Sequence, residues 1–386
     1  MSSSAAMLRG RDALRSSDFF QPHRPAFWLY LALLAPLGAL ELIQLQSLAV
    51  RAGPIPSLVG FGLIVVWVAI FIWFIRRLDL FQRASVSLMV AAFVWGGFIA
   101  GNLAGHSNSS LFTSLARANP ELQELWGAAL IGPTTEEVLK ALGVVMVVLI
   151  AGRRFHSLMD GFIYGALAGL GFQFTENIQY MFRNGNPLDA GATLQTVLQI
   201  FVIRAVILGA FSHATYTALV GFGVGYYVVK REATRLKRLL VPICLFIAAW
   251  LFHFLNNAPT AFPVTILIGL IALVLAFWLY DRARRDEYGW FRSVVADDIG
   301  TDLITAEEVA ALRSLRQRRR ARVAVRKAGD RAASRLAGEL QRAQITYGRA
   351  KDRAVPGWLE VEQARQRIWE IRRLLPALRR PGLEKA

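Results

Sequence analysis

Along this chain the apolar residues do not alternate with polar ones; they come in runs of about 20, the length of helix that crosses a bilayer core. Such runs occupy residues 26–48, 56–75, 84–104, 126–151, 158–182, 200–229, 239–257 and 262–280. They predict eight transmembrane helices and an all-α, polytopic membrane protein. The sixth run, Ile200 to Val229, is long for one span, and its first turns could continue an interfacial segment from "GATLQTVLQ". After Tyr280 the pattern becomes charged, Ala/Leu-rich and helix-prone, with a last helix expected near "GWLEVEQARQRIWEIRRLL". The pattern gives a cytoplasmic N-terminal segment 1–25, three helices in 26–105, a five-helix core in 106–280 and a basic helical tail in 281–386.

The connecting segments carry a second pattern. Arg9, Arg11, Arg15 and Arg24 lie on one side, as do Arg76, Arg77 and Arg83, then Arg153 and Arg154, then Lys230, Arg231, Arg235, Lys237 and Arg238. The alternate loops hold only Arg51, Arg117 and Arg183. Cytoplasmic loops carry the excess of Lys and Arg, so both termini of a multi-pass cell-membrane protein are expected in the cytoplasm.

Composition sharpens this picture. The chain is 55% hydrophobic yet has a formal net charge of +17. That combination disfavours a soluble globular protein and suits an apolar body in a bilayer with a basic part beside anionic headgroups. "RSLRQRRRARVAVRK" could bind nucleic acid, but so soon after a membrane span anionic lipid is the expected partner and no nucleic acid is expected. A single cysteine, Cys244, rules out an intramolecular disulfide. The N-terminal stretch lacks the apolar region of a signal peptide, so the first hydrophobic helix is expected to remain as an anchor.

Candidate chemistry comes from the few ionisable residues inside the spans. In "GPTTEEVLKALGVVMVVLIAG", Glu136, Glu137 and Lys140 interrupt an apolar helix, each costing roughly 2.5 kcal/mol or more at the bilayer centre. In the orientation above, the pair lies about 15 Å below the outer surface at 1.5 Å per residue. Glu176, His213 and His253 fall on three further helices in the same outer half. Five protonatable groups at one depth are read as one site. Glu136 and Lys140 share a helical face, as do His213 with Thr217 and His253 with Asn257. Glu136 and Glu137 diverge by about 100°, so they are expected to play different roles, and the spacing leaves open which is the base. Gly132-Pro133 is expected to loosen or break the helix just before the pair.

Carboxylates and imidazoles suit a divalent ion, and a carboxylate beside a held water is a general base. Together they describe hydrolysis by an activated water. No H-E-x-x-H, no G-x-G-D and no convincing Gly-x-Ser-Gly nucleophile is present. Bland readings stand beside these. Gly161, Gly165 and Gly169 form a helix-packing stripe, Asp160 caps its helix, and His106 and His156 are loop bystanders. Arg204 is a snorkelling or pairing residue that could also contact a substrate carbonyl.

The motifs resemble those of the PrsW family of polytopic membrane proteases and, more distantly, of the CAAX prenyl protease superfamily. E-E-x-x-K appears as Glu136 to Lys140, F-x-x-x-E-N as Phe172 to Asn177, and the two histidine helices as "RAVILGAFSHATYTALVGFGVG" and "HFLNN". The resemblance covers roughly residues 120–280. It implies cleavage of a membrane-anchored protein near the extracytoplasmic face, with an anti-sigma-type regulator as one substrate class. Glu136, Glu137, Glu176, His213 and His253 are then catalytic, supported by Lys140, Asn177 and Asn257. A divalent metal, zinc first, would be held by Glu176, His213 and His253. In the wider superfamily the second motif usually carries histidine where this chain has Glu176, which leaves the ligand set open. A proton- or ion-coupled transporter and a non-catalytic membrane scaffold are the rival readings.

Overall fold

The computed structural model describes residues 18–209, 212–328, 331–353 and 358–378. Arg9, Arg11 and Arg15 of the N-terminal segment and Pro356 of the tail lie outside them. The described residues contain no strand, only an isolated bridge between Ile299 and Ile304. The protein is an all-α, multi-pass membrane protein. Among the described residues, six helices are long and apolar enough to cross a membrane. They are α1 (Pro25–Ala52), α2 (Pro54–Leu78), α3 (Val86–Ala118), α6 (Ala190–Ile207), α8 (Arg235–Asn257) and α9 (Phe262–Val294).

Three more helices complete this part of the chain: α4 (Pro120–Ala151), α5 (Leu158–Phe182) and α7 (His213–Val229). Their polarity follows from their position. α4 carries Glu136, Glu137 and Lys140 at its middle, all buried. α5 is enclosed by protein along almost its whole length, leaving only Phe174, Glu176, Gln179 and Tyr180 partly exposed.

Glycines set how closely α5 is held. A Cβ on Gly161, Gly165 or Gly169 would collide with the carbonyl of Gly221, Thr217 or His213 on α7. On another face, Gly171 meets the Phe93 carbonyl, and Gly96 of α3 meets the Ala168 carbonyl. Backbones thus touch on two sides of α5, which small residues alone permit. α3 takes a π-helical turn from Trp95 to Ala100 at this crossing, and the Trp95 indole donates to the Leu139 carbonyl of α4 at 3.0 Å.

The long run 200–229 is divided as its length suggested: its first turns continue the helix from "GATLQTVLQ" to Ile207, and helix restarts at His213, so α6 and α7 are separate. Other sequence expectations change. The third helix does not stop near 104 but continues to Ala118. Its weak helix formers Ser109, Thr113 and Ser114 donate their hydroxyls back to the carbonyls of Gly105, Ser109 and Ser110. His106 therefore lies in a helix rather than a loop. Gly132-Pro133 does not break α4, which runs unbroken with Pro133 inside it. Asp160 caps α5 in a reciprocal box with Ser157.

The chain divides into two compact units, one of residues 1–78 and 84–281, the other of 79–83 and 282–386. The second contains the end of α9 with α10 (Ala306–Leu312), α11 (Leu315–Ala328), α12 (Arg331–Arg353) and α13 (Trp358–Leu378). Its core packs Phe81, Phe291, Val295, Leu312, Ile368 and Ile371. α11 turns Arg316, Arg319, Arg320 and Lys327 to one shallow groove with Val323 between them.

Candidate active site

α4 brings three charged side chains into the first unit and separates them by its own pitch. Glu136 lines a cavity of ≈ 700 Å³ whose walls come from α3 to α8, whereas Glu137 and Lys140 lie behind the wall, fully buried. Glu136 Oε1 accepts from Asn108 Nδ2 of α3 at 3.1 Å. Asn108 is itself fixed by the Thr135 hydroxyl, which donates to its Oδ1. Glu136 Oε2 is buried and has no hydrogen-bond partner.

The two histidines arrive from α7 and α8 with ring centroids 4.9 Å apart. Each is held by a carboxylate on one nitrogen. His253 Nδ1 meets Glu137 Oε1 at 2.8 Å, and His213 Nε2 meets Glu176 Oε2 at 3.0 Å. A carboxylate only accepts, so with neutral rings those nitrogens carry the protons and the other nitrogens keep their lone pairs. Those remaining nitrogens face the orphaned oxygen: His253 Nε2 lies 3.8 Å and His213 Nδ1 3.9 Å from Glu136 Oε2.

Lys140 and Arg204 supply the positive charge. Lys140 Nζ lies 2.6 Å from Glu137 Oε1 and 2.9 Å from His213 Nδ1, above the Phe172 ring at 4.6 Å. Arg204, a pairing residue here, donates to Glu176 Oε2 at 2.7 Å and stacks on Tyr180 with its guanidinium carbon 3.7 Å from the ring centre. Arg183 also lines the cavity, so the carboxylates of Glu136, Glu137 and Glu176 stand against three cations.

Donor chemistry and geometry fit a divalent cation. One ligand atom each from Glu136, His213 and His253 lies within 4.8 Å of the others, all three residues are buried, and the carboxylate oxygen among them is unpaired. Glu176, read from sequence as a ligand with the two histidines, lines the same cavity, but its Oε2 is shared by the His213 imidazole and Arg204. Asn177 lines the cavity with its buried Nδ2 unpartnered, while Asn257 Nδ2 is spent on the Ala128 carbonyl at 3.3 Å.

Two participants escaped the sequence reading. One is Asn108, placed among residues that read as a polar loop. The other is Glu41 of α1, fully buried, whose oxygens accept from Gln179 Nε2 at 2.9 Å and Asn102 Nδ2 at 3.4 Å. The depth rule that found Glu136 applies equally to Glu41, a carboxylate in the middle of an apolar run. Glu41→Leu would strand both amide donors and is expected to lower stability by about 1–3 kcal/mol. Glu41→Gln, which keeps one acceptor, should lose less, as read by unfolding of the purified protein in detergent.

Residues 84–280 match the PrsW family of intramembrane metalloproteases, a segment that takes in α3 as well as the helices that carry the motifs. A curated relative, "Protease PrsW" of Clostridioides difficile (strain 630), is 25% identical over 235 residues, covering 59% of this chain and 90% of that protein. No solved structure matches the chain.

Proposed function

Since the chain belongs to the PrsW family and is a membrane-embedded protease, we propose that it hydrolyses a peptide bond of a membrane-anchored protein inside the ≈ 700 Å³ cavity. The observation that carries this reading is Glu136 Oε2, a buried, unpartnered carboxylate oxygen on the cavity wall beside two imidazoles. Glu136 is the base: it takes a proton from a water held between it and the histidines, and returns that proton to the leaving amine. Glu137 and Glu176 fix the ring orientations of His253 and His213. Lys140 offsets the charge of the carboxylate pair. His213 and His253 would also hold a divalent ion, zinc first, beside Glu136 Oε2, and when bound that ion would polarise the scissile carbonyl and acidify the water that Glu136 deprotonates.

Asn177 is the amide we assign to the developing oxyanion, because its donor is buried, unspent and on the cavity wall. Asn177→Ala should lower kcat by about 10²-fold with little change in KM, the behaviour of a group that acts in the transition state. Steady-state cleavage kinetics would show it.

The basic loops support an orientation with both termini cytoplasmic and the cavity toward the extracytoplasmic half, where an anti-sigma-type regulator would present its cleavage site. The exposed basic face of α11 supports anionic lipid as the partner of the tail, about 1 kcal/mol per Lys or Arg at the surface.

The reading is tested by reconstituting the protein with membrane proteins of its host in H₂¹⁸O. Hydrolysis inserts one ¹⁸O into each new carboxyl terminus at the cut. New ¹⁸O-labelled termini near membrane segments, absent with His253→Gln, are expected. Their absence with the wild-type protein would contradict hydrolysis.

A further inference from the structure

The three donors that converge on the cavity are not equally free. Glu136 Oε2 has no hydrogen-bond partner and lies 3.8 Å from His253 Nε2, but His213 Nδ1 accepts from Lys140 Nζ at 2.9 Å. An imidazole nitrogen offers one lone pair, so it serves an ammonium or a metal ion and never both. The same ammonium lies 4.0 Å from Glu136 Oε2, within the space that an ion shared by Glu136 and His213 would need. It also has a place to withdraw to: Glu137 Oε1 already holds it at 2.6 Å, and the Phe172 face lies beneath it.

We infer that Lys140 is an internal competitor for the ion at the Glu136, His213 and His253 site. Its ammonium fills the position on His213 Nδ1 when no ion is bound, and an ion binds only as that ammonium retires onto Glu137. The residue therefore sets the ion affinity of the site. It also explains how two adjacent carboxylates tolerate burial without an ion, since one cation bridges the pair and an imidazole. The inference rests on the proposed ion site, and the test separates failure of one from failure of the other.

Full-length protein in detergent, stripped with a chelator, is titrated with zinc against a chromophoric competitor and with cobalt(II), followed by its visible absorption. The informative variants move affinity in opposite directions. Glu137→Gln removes the ammonium's retreat but keeps an acceptor oxygen for His253 Nδ1, so zinc should bind about tenfold more weakly. Lys140→Met combined with Glu137→Gln removes the competitor and its counter-charge together, which avoids stranding a buried carboxylate. Zinc should then bind at least tenfold more tightly than to wild type, with His213→Gln in that background abolishing the gain. Size exclusion and thermal unfolding of the ion-free forms verify folding. Equal zinc affinity in wild type and the double variant would overturn the competition while leaving the ion site standing. No zinc or cobalt binding by any folded form would overturn the ion site and the inference with it.

Discussion

Glu136→Gln is expected to lower the rate of peptide cleavage by about 10²–10⁴-fold, the range that a positioned general base contributes. The same change should leave stability unchanged or slightly higher. Glu136 Oε1 receives the Asn108 amide, and a glutamine oxygen can receive it equally. Its Oε2 has no hydrogen-bond partner, so no bond is lost there, and one buried negative charge disappears. Glu137→Gln should behave differently. Glu137 lies off the cavity and pairs with Lys140 and His253, so its loss leaves a buried ammonium short of its counter-charge. Removing one member of a buried pair typically costs about 3–5 kcal/mol. Cleavage rates measured beside thermal unfolding for the two variants separate a base from a structural partner: large rate loss with full stability for Glu136, lowered stability for Glu137.

Gly169→Ala should damage activity strongly, because the collision it makes falls on the backbone of His213 itself. A Cβ there would stand 2.5 Å from the His213 carbonyl carbon and closer still to its oxygen, which no side-chain rotation can relieve. Either α7 moves away from α5 or His213 shifts along the helix. Overpacking of this kind costs about 1–3 kcal/mol. A displacement of about 1 Å at a reacting group can cost 10²-fold in rate. Gly161→Ala makes an equivalent collision with the Gly221 carbonyl, two turns further along α5 from His213. It should lose comparable stability and much less activity. Parallel loss of rate in both variants would instead mean that the stripe serves only global packing.

Much of this architecture was readable from residue type and spacing. The apolar runs give the helices, and Glu136, Glu137, Lys140, Glu176, His213 and His253 stand out because ionisable groups are expensive in a bilayer. What spacing could not give was which group faces which. The separation of Glu136 from Glu137 depends on the rotation of α4 about its axis, and that is set by contacts such as Trp95 against Gly143 and the Leu139 carbonyl. The swap of Glu136 for Glu176 among the converging donors has the same origin. Arg204 takes Glu176 from the helix that ends at Ile207. Asn108 was hidden by an ordinary residue type in a segment too polar to read as a membrane helix. Glu41 was legible and simply stood apart from the motifs.

The cavity itself can be asked directly whether it holds the peptide that is cut. Phe112 lines it from α3 with an aromatic ring, so a photoreactive benzoyl-phenylalanine at that position changes the wall little. In the Glu136→Gln background the substrate should bind and persist. Illumination should join it to residue 112 through a peptide spanning the bond that the wild-type protein hydrolyses. Cross-links confined to lipid, or to substrate segments remote from the cut bond, would contradict the assignment of hydrolysis to this cavity.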